Sequence, residues 1–116
     1  MTGDSRGNSD FEMQRHAFKM KLKPGMAAEY KKRHDELWPE LAAELKAAGV
    51  SDYSIFLDEE TLTLFATQKL SDRNTAAHLP NSPTVRKWWD SMAPLMETNP
   101  DNSPVAKLLK EVFHLG

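Results

Sequence analysis

The sequence has 116 residues, with 15 Lys plus Arg against 17 Asp plus Glu and no cysteine. That length is one domain's worth and buries about two thirds of the unfolded chain's surface, enough to close a core without disulfide or metal. The missing cysteines exclude disulfide scaffolds, thiolate metal sites and cysteine nucleophiles, and a net charge of -2 spread along the chain lacks the clustered basic face of a nucleic-acid binder. No apolar stretch approaches the roughly 20 residues of a membrane helix, and the N-terminus has no apolar signal-peptide core. The expectation is a cytoplasmic protein with no nucleic-acid or membrane partner.

Residues 1–13, rich in Gly, Ser, Asn and Asp, are expected to form a disordered N-terminal tail, leaving one α+β domain over residues 14–116. In RHAFKMKLK, residues 15–23, Phe18, Met20 and Leu22 alternate with Lys19, Lys21 and Lys23, the period-two pattern of a strand that Pro24-Gly25 ends. From Met26 to about Ala48 the apolar positions Tyr30, His34, Leu37, Trp38, Leu41, Leu45 and Ala48 recur at threes and fours, predicting a long amphipathic helix closed by Gly49. Pro39 lacks a backbone donor and disfavours helical geometry at Trp38, so a kink or break is expected there.

VSDYSIFLD (50–58) and LTLFATQKL (62–70) read as a hairpin turning at Glu59-Glu60-Thr61. Tyr53, Ile55 and Leu57 share one face while Phe56 and Phe65 fall on the other. One side of the sheet therefore faces helices and the other wants a partner, a homodimer being the expectation. The lysines of the first strand do not fit this scheme. Ser71 could cap a short helix reaching His78. Ser82-Pro83 is a stronger start signal, opening a helix that carries Val85, Trp88, Trp89, Met92 and Met96. ETNPDNSP (97–104) reads as an ordered, turn-rich loop, and VAKLLKEVFHL (105–115) as a helical turn followed by a strand at Glu111–Leu115. The order is βαββαβ with an extra helix, an antiparallel sheet with helices on one face.

For chemistry, metal sites fail first: none of His16, His34, His78 and His114 stand three to five residues apart, and there is no HExxH. No phosphate-binding glycine loop and no GxSxG elbow occur. What stands out is Tyr30 and His34, an i, i+4 pair stacked on the inward face of the helix just before the Trp38-Pro39 irregularity. A histidine there is either a core residue with a hydrogen-bond partner or, with an ordinary pKa of about 6.5, a group that exchanges a proton with a bound ligand. Tyr53, on the next strand, can meet the same face as core or as ligand contact. Trp88 and Trp89 point about 100° apart, so one can join the core stripe and the other must cover a cleft or a partner. Tryptophan faces with Tyr and His polar tips suit a small ligand with both C–H surface and hydroxyls, a sugar.

Together EYxxRHxxxWPEL at 29–41, YSIFLD at 53–58, KWW at 87–89, and NPDNSP followed by EVFHL between 99 and 115 closely resemble the L-rhamnose mutarotase family. The likeness runs from about residue 14 to 116 and is weakest over 72–84. It implies a ferredoxin-like chain pairing through its sheet as a dimeric α+β barrel, which interconverts the α and β anomers of L-rhamnose without a cofactor or metal. It implies His34 as the catalytic proton donor, and Tyr30, Tyr53, Trp88 and Trp89 as sugar contacts. Monooxygenases of the dimeric α+β barrel type share the shape, and a non-catalytic sugar-binding module would use the same aromatic residues; both stand as alternatives at this point.

Overall fold

Pro39 divides the long amphipathic run in two. In a computed structural model describing residues 13–116, the run becomes α1 (Ala27–Asp35) and α2 (Pro39–Ala47), with Trp38 extended between them at φ −60°, ψ 129°. Pro39 takes the first helical position, where a missing N–H costs nothing, and the Trp38 carbonyl accepts from Leu41 N at 3.1 Å and Ala42 N at 3.0 Å. Gly49 closes α2 at φ +93°, and a Cβ there would lie 2.3 Å from Ser71 Oγ, so both conformation and space demand glycine. Of the expected tail, only Met13 lies among the described residues.

The strands are β1 (Gln14–Lys21), β2 (Val50–Asp58), β3 (Thr63–Leu70) and β4 (Lys107–Leu108), with α3 (Pro83–Met92) between β3 and β4. They pair antiparallel in the order β2-β3-β1-β4, the ferredoxin-like arrangement, with the core clustered between one sheet face and the helices. On that inner face Met20, Leu64 and Ala66 are buried with Leu22, Tyr30, Met92, Leu95 and Met96. Ser82 caps α3 as expected, its Oγ accepting from Val85 N at 3.3 Å.

On the outer face Phe56 pairs with Phe65, and Phe65 with Lys19. Phe56 is 63% and Phe65 38% exposed. This answers where the β1 lysines point: Lys19 and Lys21 lie on the outer face, both partly buried, their aliphatic stems alongside Phe65 and Thr63 and their ammonium groups able to reach water.

Strand β2 carries an irregularity that alternation alone does not show. Pairing with β3 shifts between Ser51 and Ser54, and Asp52 takes φ 47°. Two β2 residues oppose the single Gln68 there, a β-bulge, so buried Val50 and the set Tyr53, Ile55 and Leu57 all reach the inner face although strict alternation would separate them.

Two expectations are corrected. Residues 105–110 form no helical turn and Glu111–Leu115 no strand; the last strand is Lys107–Leu108, paired with Phe18 and Lys19, and Leu109 N donates to Ala17 O at 2.9 Å. The spacing of Val105, Leu108, Leu109 and Val112 suits a helix, but the open edge of β1 offers a ladder and the tertiary pairing wins. Nor does Ser71 cap a helix. Its carbonyl accepts from the backbone and side chain of Asn74, and a 3₁₀ turn begins only at Ala76, running to Asn81. The 97–104 loop is built from its own polar groups, with Asn99 N to Ser103 O at 2.7 Å and Asn102 Nδ2 reaching Asp90 of α3 at 3.0 Å.

Candidate active site

The first helix supplies the centre. Tyr30 and His34 stack one turn apart with ring centroids 4.4 Å apart, Tyr30 buried and His34 partly so. His34 Nδ1 lies 3.0 Å from the Tyr30 carbonyl. A carbonyl only accepts, so in the neutral imidazole Nδ1 carries the hydrogen and Nε2 keeps its lone pair for a ligand. Burial lowers the His34 pKa from its ordinary value, opposed by the Tyr30 carbonyl and by Asp35. The neutral, basic form therefore prevails near pH 7.

Helix α3 brings Trp88 across. It packs on the core and meets His34 edge-on, centroids 5.3 Å apart and planes at 89°. Trp88 in turn meets Trp38 edge-on at 5.2 Å and 85°. Trp89, about 100° further round the helix, is partly buried.

The sheet closes the other side. Tyr53 packs edge-on against Phe18 at 6.5 Å, and Phe18 lies 5.4 Å from the His16 ring, whose Nδ1 is 2.9 Å from Gln68 Oε1. Tyr53 is 40% exposed, and burial raises its pKa to about 12. Burial pushes the Tyr30 hydroxyl up as well, and the charge of an ionised Tyr53 adds to it, which places the two hydroxyls within electrostatic reach. Both stay protonated at neutral pH and remain donors.

Tyr30, His34 and Trp88 are thus brought into ring contact, with Tyr53 close to Tyr30 from the sheet side. Two contributors were not anticipated, Phe18 and Trp38. The signal for Trp38 was its place before Pro39, which takes its side chain off the helical stripe it was assigned to. A separate cleft of about 270 Å³ is lined by Glu29, Lys32, Arg33, Glu36, Trp38, Trp88 and Ser91. It is dominated by charge and shares only Trp88 with the anticipated residues. Among the described residues no group of three or more His, Asp or Glu could hold a metal, and no helix is long and apolar enough to cross a membrane.

The profile of the L-rhamnose mutarotase family matches residues 15–115. The chain belongs to that family. It is 59% identical over 103 residues to an L-rhamnose mutarotase of Mesorhizobium japonicum, covering 89% of this chain and 98% of the relative. It is 58% identical to one from Flavobacterium johnsoniae, over 87% of this chain and 94% of the relative. The crystal structure of L-rhamnose mutarotase FA22100 from Formosa agariphila superposes with a TM-score of 0.83 at 57% identity, covering 89% of this chain and 99% of that one. A conserved protein from Methanosarcina mazei Go1, 13% identical with a TM-score of 0.57, shares the fold alone.

Proposed function

We propose that this chain interconverts the α and β anomers of L-rhamnose, as an isomerase of its family, with His34 as the acid-base group. The observation that carries the assignment of roles is the orientation of His34: its Nδ1 is tied to the Tyr30 carbonyl, so Nε2 alone is left for substrate. Ring opening removes the proton of the anomeric hydroxyl, breaks the bond from the anomeric carbon to the ring oxygen, and adds a proton to that oxygen. Both oxygens are bonded to one carbon, so a single imidazole nitrogen can serve them in turn, first taking a proton and then giving it back. Rotation of the open aldehyde and the reverse transfers give the other anomer. Only protons pass between sugar and protein while the ring C–O bond breaks and re-forms within the sugar, and the reaction as proposed uses no cofactor and no metal.

Neutral His34 opens the sequence as base, which its lowered pKa favours. The protonated hydroxyls of Tyr30 and Tyr53 are donors for oxygens that gain charge, and Trp88 offers an apolar wall for the C–H face of the sugar. A positioned acid-base group contributes about 10²- to 10⁴-fold in rate. That is a fitting size for a reaction that also proceeds slowly in water.

We propose further that the protein works as a homodimer joined through the outer face of its sheet. Phe56 and Phe65 form a paired apolar patch there, and Val112, Phe113 and Leu115 of the C-terminal segment are 88%, 78% and 82% exposed. Apolar surface of this extent on one chain favours association. The test of function is saturation transfer by NMR between the two anomeric protons of L-rhamnose. Exchange well above the buffer rate is expected on adding the protein. Exchange at the buffer rate, with binding still detectable, would assign a sugar-binding module instead.

A further inference from the structure

We infer that Trp38 is a positioning residue for the reaction, holding the ring of Trp88 against His34 from the break between α1 and α2. The inference rests on the proposed role of His34 and adds a residue that the motif at 29–41 carries without a role. The rings form one chain of contacts: Tyr30 on His34 at 4.4 Å, His34 on Trp88 at 5.3 Å and 89°, Trp88 on Trp38 at 5.2 Å and 85°. His34 is thereby enclosed on one side by its own helix and on the other by Trp88, and Trp88 is backed by Trp38.

The backbone explains why Trp38 can do this. A residue before proline is pushed out of helical geometry, and Trp38 is extended at φ −60°, ψ 129°. Its side chain thus leaves the stripe shared by α1 and α2 and crosses to α3. Its own main chain is fixed meanwhile, because the Trp38 carbonyl starts α2 by accepting from Leu41 and Ala42. The residue is held at both ends: its carbonyl by the first turn of α2 and its ring by the edge-on contact with Trp88.

Space makes that hold consequential. Trp38 and Trp88 both line the cleft of about 270 Å³. Removing the Trp38 ring enlarges this cleft beside Trp88 and gives Trp88 room to turn away from His34. Water would then reach the imidazole, and the sugar would lose a fixed wall. The ionisable group acting on His34 from its own helix is Asp35, Tyr30 stays protonated, and α3 presents the uncharged ring of Trp88. A change in the His34 titration after altering Trp38 therefore reports access of water rather than a lost charge.

The experiment compares Trp38→Leu and Trp38→Phe with wild type, each checked for folding by circular dichroism. Anomer exchange is read as kcat and KM separately, and the His34 imidazole is titrated by NMR without sugar. Trp38→Leu is expected to lower kcat by about 10- to 100-fold, the usual scale of a misplaced reacting group, with a smaller effect on KM. It should also move the His34 midpoint up toward the ordinary histidine value. Trp38→Phe keeps an aromatic edge and should restore much of both, and it carries the test should the leucine variant fail to fold. A folded Trp38→Leu with wild-type kcat overturns the inference, whatever its titration does. So does a lowered kcat with the His34 midpoint unmoved, which would mark Trp38 as generally structural. Failure of the underlying reading looks different: His34→Ala would then exchange anomers at the wild-type rate.

Discussion

The two faces of the sheet carry comparable apolar material and do opposite things with it. On the inner face β1 and β3 supply Met20, Leu64 and Ala66, which the helices seal, and the same face carries Phe18, the protonated phenols of Tyr30 and Tyr53, and a histidine of lowered pKa packed between Tyr30 and Trp88. On the outer face Phe56 and Phe65 lie side by side with Lys19. Apolar surface thus becomes a candidate site where it is mixed with groups that exchange protons. Where it is flanked by lysine stems, the proposed reading makes it a surface for association.

The largest effect that should separate the faces is at His34. His34→Ala should cut anomer exchange by about 10²-fold or more while leaving the fold intact, because the ring lies beside a partly open site and not in a sealed core. Rhamnose affinity should fall only modestly, since the aromatic contacts remain. Exchange rate and binding constant measured on one folded sample decide it, and wild-type exchange would make His34 a core histidine. On the outer face the corresponding change is Phe56→Asp with Phe65→Asp. It should shift sedimentation from a dimer toward the 13.1 kDa monomer at micromolar concentration. A wild-type protein already sedimenting as a monomer would remove the association half of the comparison.

A smaller, graded effect comes from pH. Burial depresses the folded pKa of His34, so the neutral base is lost only as pH falls through a value below the ordinary histidine pKa of about 6.5. The acid limb of kcat/KM should therefore have its midpoint under about 6.5, with activity level from there to neutrality. The linked stability has the same sign: a depressed pKa means the folded state resists protonation, so its contribution is whole above the unfolded pKa and fades as pH falls through the folded one. An acid limb centred above 7 would contradict the burial of this imidazole.

Much of this arrangement was legible because it is local. Proline sterics at Pro39, the Ser82-Pro83 start, the glycine stop at Gly49 and period-two alternation in β1 act within a few residues, and each appears where the sequence placed it. The Tyr30–His34 pair was legible for the same reason, being a matter of one helical turn. What escaped depends on partners distant in sequence. The bulge at Asp52–Tyr53 left a trace, since Val50 and Tyr53 are both apolar at positions of opposite parity, but only pairing with β3 shows that both turn inward. The helical spacing from Val105 onward was overridden by the edge of β1, Phe18 and Lys19 lying far upstream of Leu108 and Lys107 in the chain. Trp38 was placed on a helical stripe, when the proline after it sends the ring to α3.

The smallest expected effect tests what holds the C-terminal segment. Arg15 Nε and Nη2 donate to Glu111 at 2.8 and 3.0 Å, the single side-chain tie between β1 and the chain after Leu109 among the contacts described. The bond lowers the Glu111 pKa, but both side chains are nearly half exposed, at 44% and 46%, where such pairs contribute little and are screened by salt. Arg15→Gln should therefore leave the urea midpoint, the dimer content and the exchange rate at wild-type values in physiological salt. If association covers Val112, Phe113 and Leu115, hydrogen exchange of their amides should also be unchanged by Arg15→Gln, yet rise sharply when Phe56→Asp and Phe65→Asp dissociate the dimer. The opposite result, amides freed by Arg15→Gln in an intact dimer, would show that the segment is pinned to its own β1. The outer-face phenylalanines would then have to carry association without it.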